Sequence, residues 1–276
     1  MEAILPATVQ IVERTDQAEE EFIPAQKKQR GLTMNKGNTY QKTVNMPTQC
    51  PFCGRMFDYT LYPEIHIPGD SRLKKKVLNK TLFFPKCPHC GNECKLKPGC
   101  IYHDENRKVM FIVTDSPDAT LEKRMKTGNI HFKDIHTDDD VLDFMKGLYT
   151  RRVVHDVDAF REKILLSDCN YDDRIIELMK LSLSGLLEKE NHMPVYRIFL
   201  EEAAGNMLEF TAIMGSHAPF EYTTVKSPAN VYYQYRDKYQ NKLGRPEDDA
   251  YISTDQEWAR KSGLLKNEDP GFIVSF

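Results

Sequence analysis

Cys50-Pro51-Phe52-Cys53-Gly54 and Cys87-Pro88-His89-Cys90-Gly91 are two copies of one short word, with 33 residues between their inner cysteines. A Cys-x-x-Cys turn brings two sulfurs to one point. Two such turns supply the tetrahedron that Zn²⁺ prefers, at about 2.3 Å for sulfur. Pro51 and Pro88 fix φ after the first cysteine of each pair. Gly54 and Gly91 follow the second cysteine, where a turn closing on a metal needs a positive φ. A redox Cys-x-x-Cys pair normally occurs once, at the start of a helix. Duplication with Pro and Gly in register reads instead as a metal site. The expected ligands are Cys50, Cys53, Cys87 and Cys90, holding a structural Zn²⁺ with no position left for water or substrate. Iron in the same four-sulfur cage is the alternative, and Cys94 competes as a substitute ligand. Cys100 and Cys169 read as small core hydrophobes. The insert between the words exceeds the roughly 15–20 residues of the common double-pair spacing, so it must hold structure of its own.

The rest of the composition narrows the class. A chain of 276 residues with 40% hydrophobic and 29% charged content fits a soluble globular protein of one large or two modest domains. No run of 18 apolar residues exists to span a membrane. Met1-Glu2-Ala3-Ile4-Leu5-Pro6 lacks the basic start and apolar core of a secretory signal. Seven cysteines, four of them in metal-type spacing, suit a reducing compartment, so a cytoplasmic location is expected. The net charge of −3 names no partner. From Cys50 to Met110, however, 11 Lys/Arg stand against 6 Asp/Glu. Arg72, Lys74, Lys75, Lys76 and Lys80 cluster in the insert as candidate nucleic-acid contacts, or as a solvated helix face.

Periodicity predicts an α+β chain in four parts. Residues 1–44 read as an N-terminal arm, partly flexible, with a short strand at Thr8–Val12. Residues 45–115 read as an elaborated zinc ribbon. It has strands at Met56–Tyr62, Glu93–Lys97 and Lys108–Val113 and a two-turn helix at Ser71–Asn79 capped by Asp70 or Ser71, after which Thr81–Phe84 returns the chain to the second cysteine word. A hairpin turn is expected at His103–Asn106. Residues 116–137 read as a linker with a short helix near 118–126. Residues 138–276 read as helices and then an antiparallel sheet. Helical stripes cover Asp138–Leu148, Asp156–Leu166 and Asp172–Lys189, the last capped by Asn170 or Asp172. Strand patterns cover Val195–Leu200, Met207–Ile213, Phe220–Val225 and Val231–Tyr235. A last short helix around Trp258 is expected to start from a Thr254/Glu257 capping box.

The paired cysteine words, the long insert and Ile101-Tyr102-His103-Asp104 resemble the CpXC family of bacterial proteins. The resemblance continues through Arg152-Val153-Val154, Glu162-Lys163-Ile164, Asp172-Asp173-Arg174-Ile175-Ile176-Glu177 and Lys180. It implies zinc binding through Cys50, Cys53, Cys87 and Cys90, a family role that is not established, and no catalytic residues.

Other clusters invite an active site without assembling one. His103 and Asp104 are adjacent on a strand and point to opposite faces. His131, His136 and Asp138-Asp139-Asp140 are accounted for by a polar linker ending in a helix cap. Asp172, Asp173, Arg174 and Glu177 read as helix capping and domain docking. Tyr222, Tyr232, Tyr233, Tyr235 and Tyr239, with Lys226, Arg236, Lys238 and Lys242, suit either base stacking or a sheet core. No Gly-rich phosphate loop, nucleophile elbow or His-Glu-x-x-His is present. The leading expectation is therefore a non-enzymatic, cytoplasmic zinc-ribbon protein whose second, α+β domain mediates an interaction with another protein. Nucleic-acid binding is the second expectation and an enzyme of unrecognised type the third.

Overall fold

In the computed structural model, residues 11–14, 43–96, 99–114, 147–248 and 252–265 are described. Among these residues the chain forms three sheets and five helices in an α+β arrangement. The first sheet is a hairpin of β2 (Val44–Gln49) and β3 (Met56–Leu61). The second is mixed, in the order β4 (Glu64–Ile67), β5 (Cys100–Asp104), β6 (Val109–Val113), β7 (Thr150–Val154). The third is antiparallel, in the order β1 (Ile11–Arg14), β10 (Glu221–Pro228), β9 (Met207–Met214), β8 (Val195–Ala204).

In the middle sheet β6 and β7 are parallel. A parallel pair needs a crossover connection rather than a hairpin. The sheet is thus completed by a strand from beyond the stretch that composition marks as a linker at 116–137. Polar composition reports solvent exposure, not whether the strands on either side pair with each other.

One face of this sheet carries Ile65, Ile67, Tyr102, Val109, Phe111 and Val113 into a core with α1 (Ser71–Leu78) and α2 (Val157–Asp168). From α1 come Leu73 and Val77 at helical spacing, and from α2 come Val157, Phe160 and Ile164. The second core lies between the antiparallel sheet and three helices, α3 (Asp173–Asn191), α4 (Ala229–Leu243) and α5 (Gln256–Ser262). Leu166 of α2 also belongs to it, so α2 serves both cores. The helices start where carboxylates wait: Asp156 accepts from the N–H groups of Asp158 and Ala159, and Asp172 from that of Arg174.

Several expectations are corrected. Val231–Tyr235 is not a strand but part of α4, where Val231, Tyr232, Tyr235 and Tyr239 are buried at steps of one, three and four. Their aromatic, β-branched character suits a strand, but the three- and four-residue spacing prevails. Of the strand expected at Glu93–Lys97, the described residues Glu93–Leu96 contribute only an isolated bridge between Glu93 and Lys86. The Ser71 hydroxyl donates to Pro68 O and the Asp70 carboxylate accepts from the His66 N–H, so neither side chain caps α1. The β5–β6 turn falls later than expected, at Glu105–Lys108, because Asp104 Oδ1 accepts from the N–H groups of both Asn106 and Arg107. The final helix is capped by Asp255, which accepts from Trp258 N, rather than by Thr254, which is buried. The expected helices at 118–126 and over most of Asp138–Leu148, and most of the N-terminal arm, lie outside the described residues.

A row of buried charges welds the two cores. The Arg152 guanidinium meets Asp173 with two bonds of 2.8 and 2.9 Å. Lys163 Nζ lies 2.9 Å from Asp173 and 3.5 Å from Glu177. Lys180 Nζ donates to Glu177 at 2.9 Å and to Glu162 at 3.0 and 3.2 Å. Glu162 Oε1 ends the row by accepting from Leu200 N at 2.8 Å. Signs alternate throughout, and none of the six side chains is more than 9% exposed. Burial acts against the charge on Asp173, but Arg152 and Lys163 hold its carboxyl well below the usual carboxylate range. Burial likewise opposes the Lys180 charge, and Glu162 and Glu177 outweigh it, so its pKa is raised. Glu177 is pushed up by burial despite Lys180 and Lys163. Lys180→Met leaves Glu162 and Glu177 facing each other with one cation fewer. The expected loss is about 3–5 kcal/mol of unfolding free energy in urea titration. A loss under about 1 kcal/mol would show that the row is not the joint between the cores.

Candidate metal centre

The two cysteine turns are built alike. Cys50 N–H donates to Arg55 O at 3.0 Å and Gly54 N–H donates back to Cys50 O at 2.9 Å. In the second turn Cys87 N–H donates to Asn92 O at 2.8 Å and Gly91 N–H to Cys87 O at 2.9 Å. Closing the turn this way puts Gly54 at φ 69° and Gly91 at φ 77°, conformations that cost a side chain about 1 kcal/mol or more. The first turn is the loop of the β2–β3 hairpin. The second is braced against it by the Tyr59 hydroxyl, which donates to Leu82 O, and by a ring nitrogen of His89 at 3.1 Å from Met56 O.

The result is convergence of all four expected ligands. The sulfurs of Cys50, Cys53, Cys87 and Cys90 lie within 4.8 Å of one another. Cys50 Sγ is 3.6 Å from Cys90 Sγ, and Cys53 Sγ is 3.8 Å from Cys87 Sγ. A tetrahedron with metal–sulfur bonds of about 2.3 Å has edges of about 3.8 Å, so the spacing fits a single ion. The donor set is soft, complete and supplied wholly by protein, which is the composition of a closed structural site. The sulfurs are not alike: despite the Asn92 N–H, burial and the neighbouring thiols push Cys90 up to about 12. Burial opposes ionisation of Cys50, yet the backbone N–H groups of Cys53 and Phe52 and the neighbouring thiols hold it down at about 6. The His89 N–H also points at Cys87 Sγ, at 3.4 Å. Cys94 Sγ comes within 3.8 Å of Cys50 Sγ but is not among the sulfurs that are mutually close, and burial first, then Cys50, pushes it up to about 12. It packs against the site with Phe57 and Leu96.

The basic insert is partly turned inward. Lys74 donates to Asp104 at 3.0 Å and to Asp168 at 2.6 Å, and Lys80 donates to Glu201 at 3.0 Å. Arg72, Lys75 and Lys76 remain exposed. The tyrosines do not form a stacking platform: Tyr232, Tyr235 and Tyr239 are buried, and the Tyr232 hydroxyl accepts from Asp172 N at 2.8 Å. Asp173 and Glu177 belong to the buried row, while Asp172 pairs with Arg174 at 2.8 Å. A cavity of about 140 Å³ borders that row, lined by Lys163, Asp172 and Asp173 together with Arg107, Thr150 and Asn170. His131, His136 and Asp138-Asp139-Asp140 lie outside the described residues. As the strand geometry requires, His103 and Asp104 diverge: Asp104 faces Lys74, and His103 stacks on His66. Burial, and then His66, holds His103 at about 4. Sequence reasoning passed over His66. Its partner is 37 positions away, and only the parallel β4–β5 register puts the two side by side. Glu64-Ile65-His66-Ile67 does alternate like a strand, which is the one local signal available.

Residues 48–180 match the family model described as CpXC protein. No curated protein and no solved structure matches the chain. The matched residues contain all four converging cysteines and all six side chains of the buried row. Among the described residues, no helix is long and apolar enough to cross a membrane.

The Cys50→Ser/Cys87→Ser double variant removes the buried sulfur from each turn. It should purify without the ion, and the β2–β3 hairpin should lose its amide hydrogen-exchange protection. A variant that keeps one ion per chain and full protection would contradict the four-sulfur assignment.

Proposed function

We propose that the chain is a non-enzymatic, cytoplasmic module in which a structural Zn²⁺ at Cys50, Cys53, Cys87 and Cys90 shapes a surface that docks onto another protein. Zinc suits a closed, tetrahedral, all-thiolate set and brings no redox chemistry of its own. What supports the docking reading is the placement of Phe52 and Met56. These side chains are 56% and 54% exposed at the tip and base of the turn that carries Cys50 and Cys53. The metal-bound turn would hold them rigid before a partner arrives, which lowers the entropy cost of binding. An exposed aromatic on a fixed turn is the kind of anchor that dominates protein interfaces. Seven cysteines, four of them in metal-type spacing, are in keeping with a reducing compartment. The inward pairing of Lys74 and Lys80 takes two cations away from any phosphate-binding face.

Phe52→Ser combined with Met56→Ser tests this. The metal content should be unchanged, and a partner recovered in stoichiometric amount by the parent chain should fall about tenfold or more. Equal recovery by both chains would remove the hairpin as the docking face. Salt-dependent retention of an oligonucleotide, lost on neutralising Lys75 and Lys76, would move the function to nucleic-acid binding.

A further inference from the structure

The parallel pairing of β4 with β5 sets His66 directly opposite His103. Partners in register share a sheet face, and the two rings stack at 4.7 Å between centroids and 17° between planes. Glu105 follows immediately after β5. Its N–H donates to Ile67 O at 3.3 Å, which folds the start of the turn back over the end of β4. Its carboxylate then meets His66 Nε2 at 2.7 Å. One ligand atom each from His66, His103 and Glu105 therefore falls within 4.8 Å of the others.

The surroundings make this an open notch with one fixed wall. His103 is buried and backed by Tyr149, with ring centroids 5.2 Å apart. Lys108 Nζ lies over the Tyr149 ring at 5.2 Å. His66 and Glu105 are about half exposed, so solvent and ions reach the notch from their side. The backbone of His66 is held by Asp70, whose carboxylate accepts its N–H at 3.1 Å.

We propose that His66, His103 and Glu105 form a second metal site, open to solvent, for a divalent transition ion of the zinc, cobalt or nickel kind. Two imidazoles and one carboxylate suit these borderline ions, and thiophilic character is not needed to bind them. Closing on an ion at about 2.0–2.2 Å brings ligand atoms to roughly 3.0–3.5 Å from one another. Rotation of the two exposed side chains toward the fixed His103 supplies that contraction. Three protein ligands leave a coordination position for water or for an exchangeable ligand, in contrast to the closed sulfur cage. The pattern was invisible in the spacing of His103-Asp104-Glu105 because the second imidazole comes from the neighbouring strand.

Cobalt distinguishes the two sites, since thiolate ligation gives intense charge-transfer absorption and nitrogen–oxygen ligation does not. Untagged full-length protein carrying its own metal is titrated with Co²⁺ by calorimetry and visible absorption together. One further equivalent is expected, with weak visible bands and no thiolate charge transfer. His66→Gln and Glu105→Gln should each weaken it about tenfold or more. His217→Gln, a change at an exposed histidine outside the notch, should leave it unaltered. Both ligand variants alter exposed side chains, so loss of the fold does not confuse the reading, and the metal at the cysteines reports that directly. No further equivalent, or one that survives both variants at the parent affinity, would overturn the proposal.

Discussion

Sulfur atoms packed within 4.8 Å of one another cannot all carry charge unless a cation sits among them. That constraint governs the β2–β3 hairpin and the second cysteine turn. The buried residues around the hairpin are Cys50, Phe57, Cys87 and Cys94, with Tyr59 and Leu96 packed against them. Three of the four buried members are cysteines, and two of those, Cys50 and Cys87, belong to the converging set of four. A core this small cannot outweigh the entropy of ordering two turns that are 33 residues apart. An ion bound by four thiolates would supply what apolar burial does not. Zinc-finger peptides draw about 10–16 kcal/mol of apparent folding free energy from their metal. The turns in turn place β3, so Phe57 and Tyr59 inherit their positions from the sulfur geometry.

A different economy holds the remainder together. The alternating row from Arg152 to Glu162 is buried at the place where α2 passes between the two apolar cores. Buried ion pairs are poor sources of net stability, because desolvation offsets attraction. They are effective at excluding wrong alignments, since a slip of α3 against α2 by one residue would leave several charges unpaired. Arg174 extends this control to α4 by donating to the carbonyls of Leu243 and Gly244 at 2.9 and 3.0 Å. Lys74 and Lys80 do the same for α1, tying it to Asp104, Asp168 and Glu201.

What could be read from the sequence followed from local rules. The duplicated words with Pro and Gly in register identify the four converging cysteines, and the three- and four-residue stripe of Ile175, Ile176, Leu178, Met179 and Leu183 identifies α3. What escaped depends on pairing across distance. The β7 strand joins β6 through a crossover that no spacing announces, and His66 meets His103 only through a parallel register. The α4 helix was obscured for a third reason: Val231, Tyr232, Tyr233 and Tyr235 have strand-forming side chains, and only the extension to Tyr239 reveals the helical period. Asp173 and Glu177 read as part of a helix-capping and docking cluster, and Arg152, Glu162, Lys163 and Lys180 enter only through the family resemblance. That they form one buried row is a tertiary fact.

X-ray absorption at the metal edge tests the central claim most directly. The sample is reduced, freshly purified protein from which weakly held ions have been stripped with a mild chelator. The account predicts one zinc per chain surrounded by four sulfur neighbours at about 2.3 Å, with no nitrogen or oxygen in that shell. A first shell containing light atoms, or protein that is fully folded with no ion retained, would contradict it.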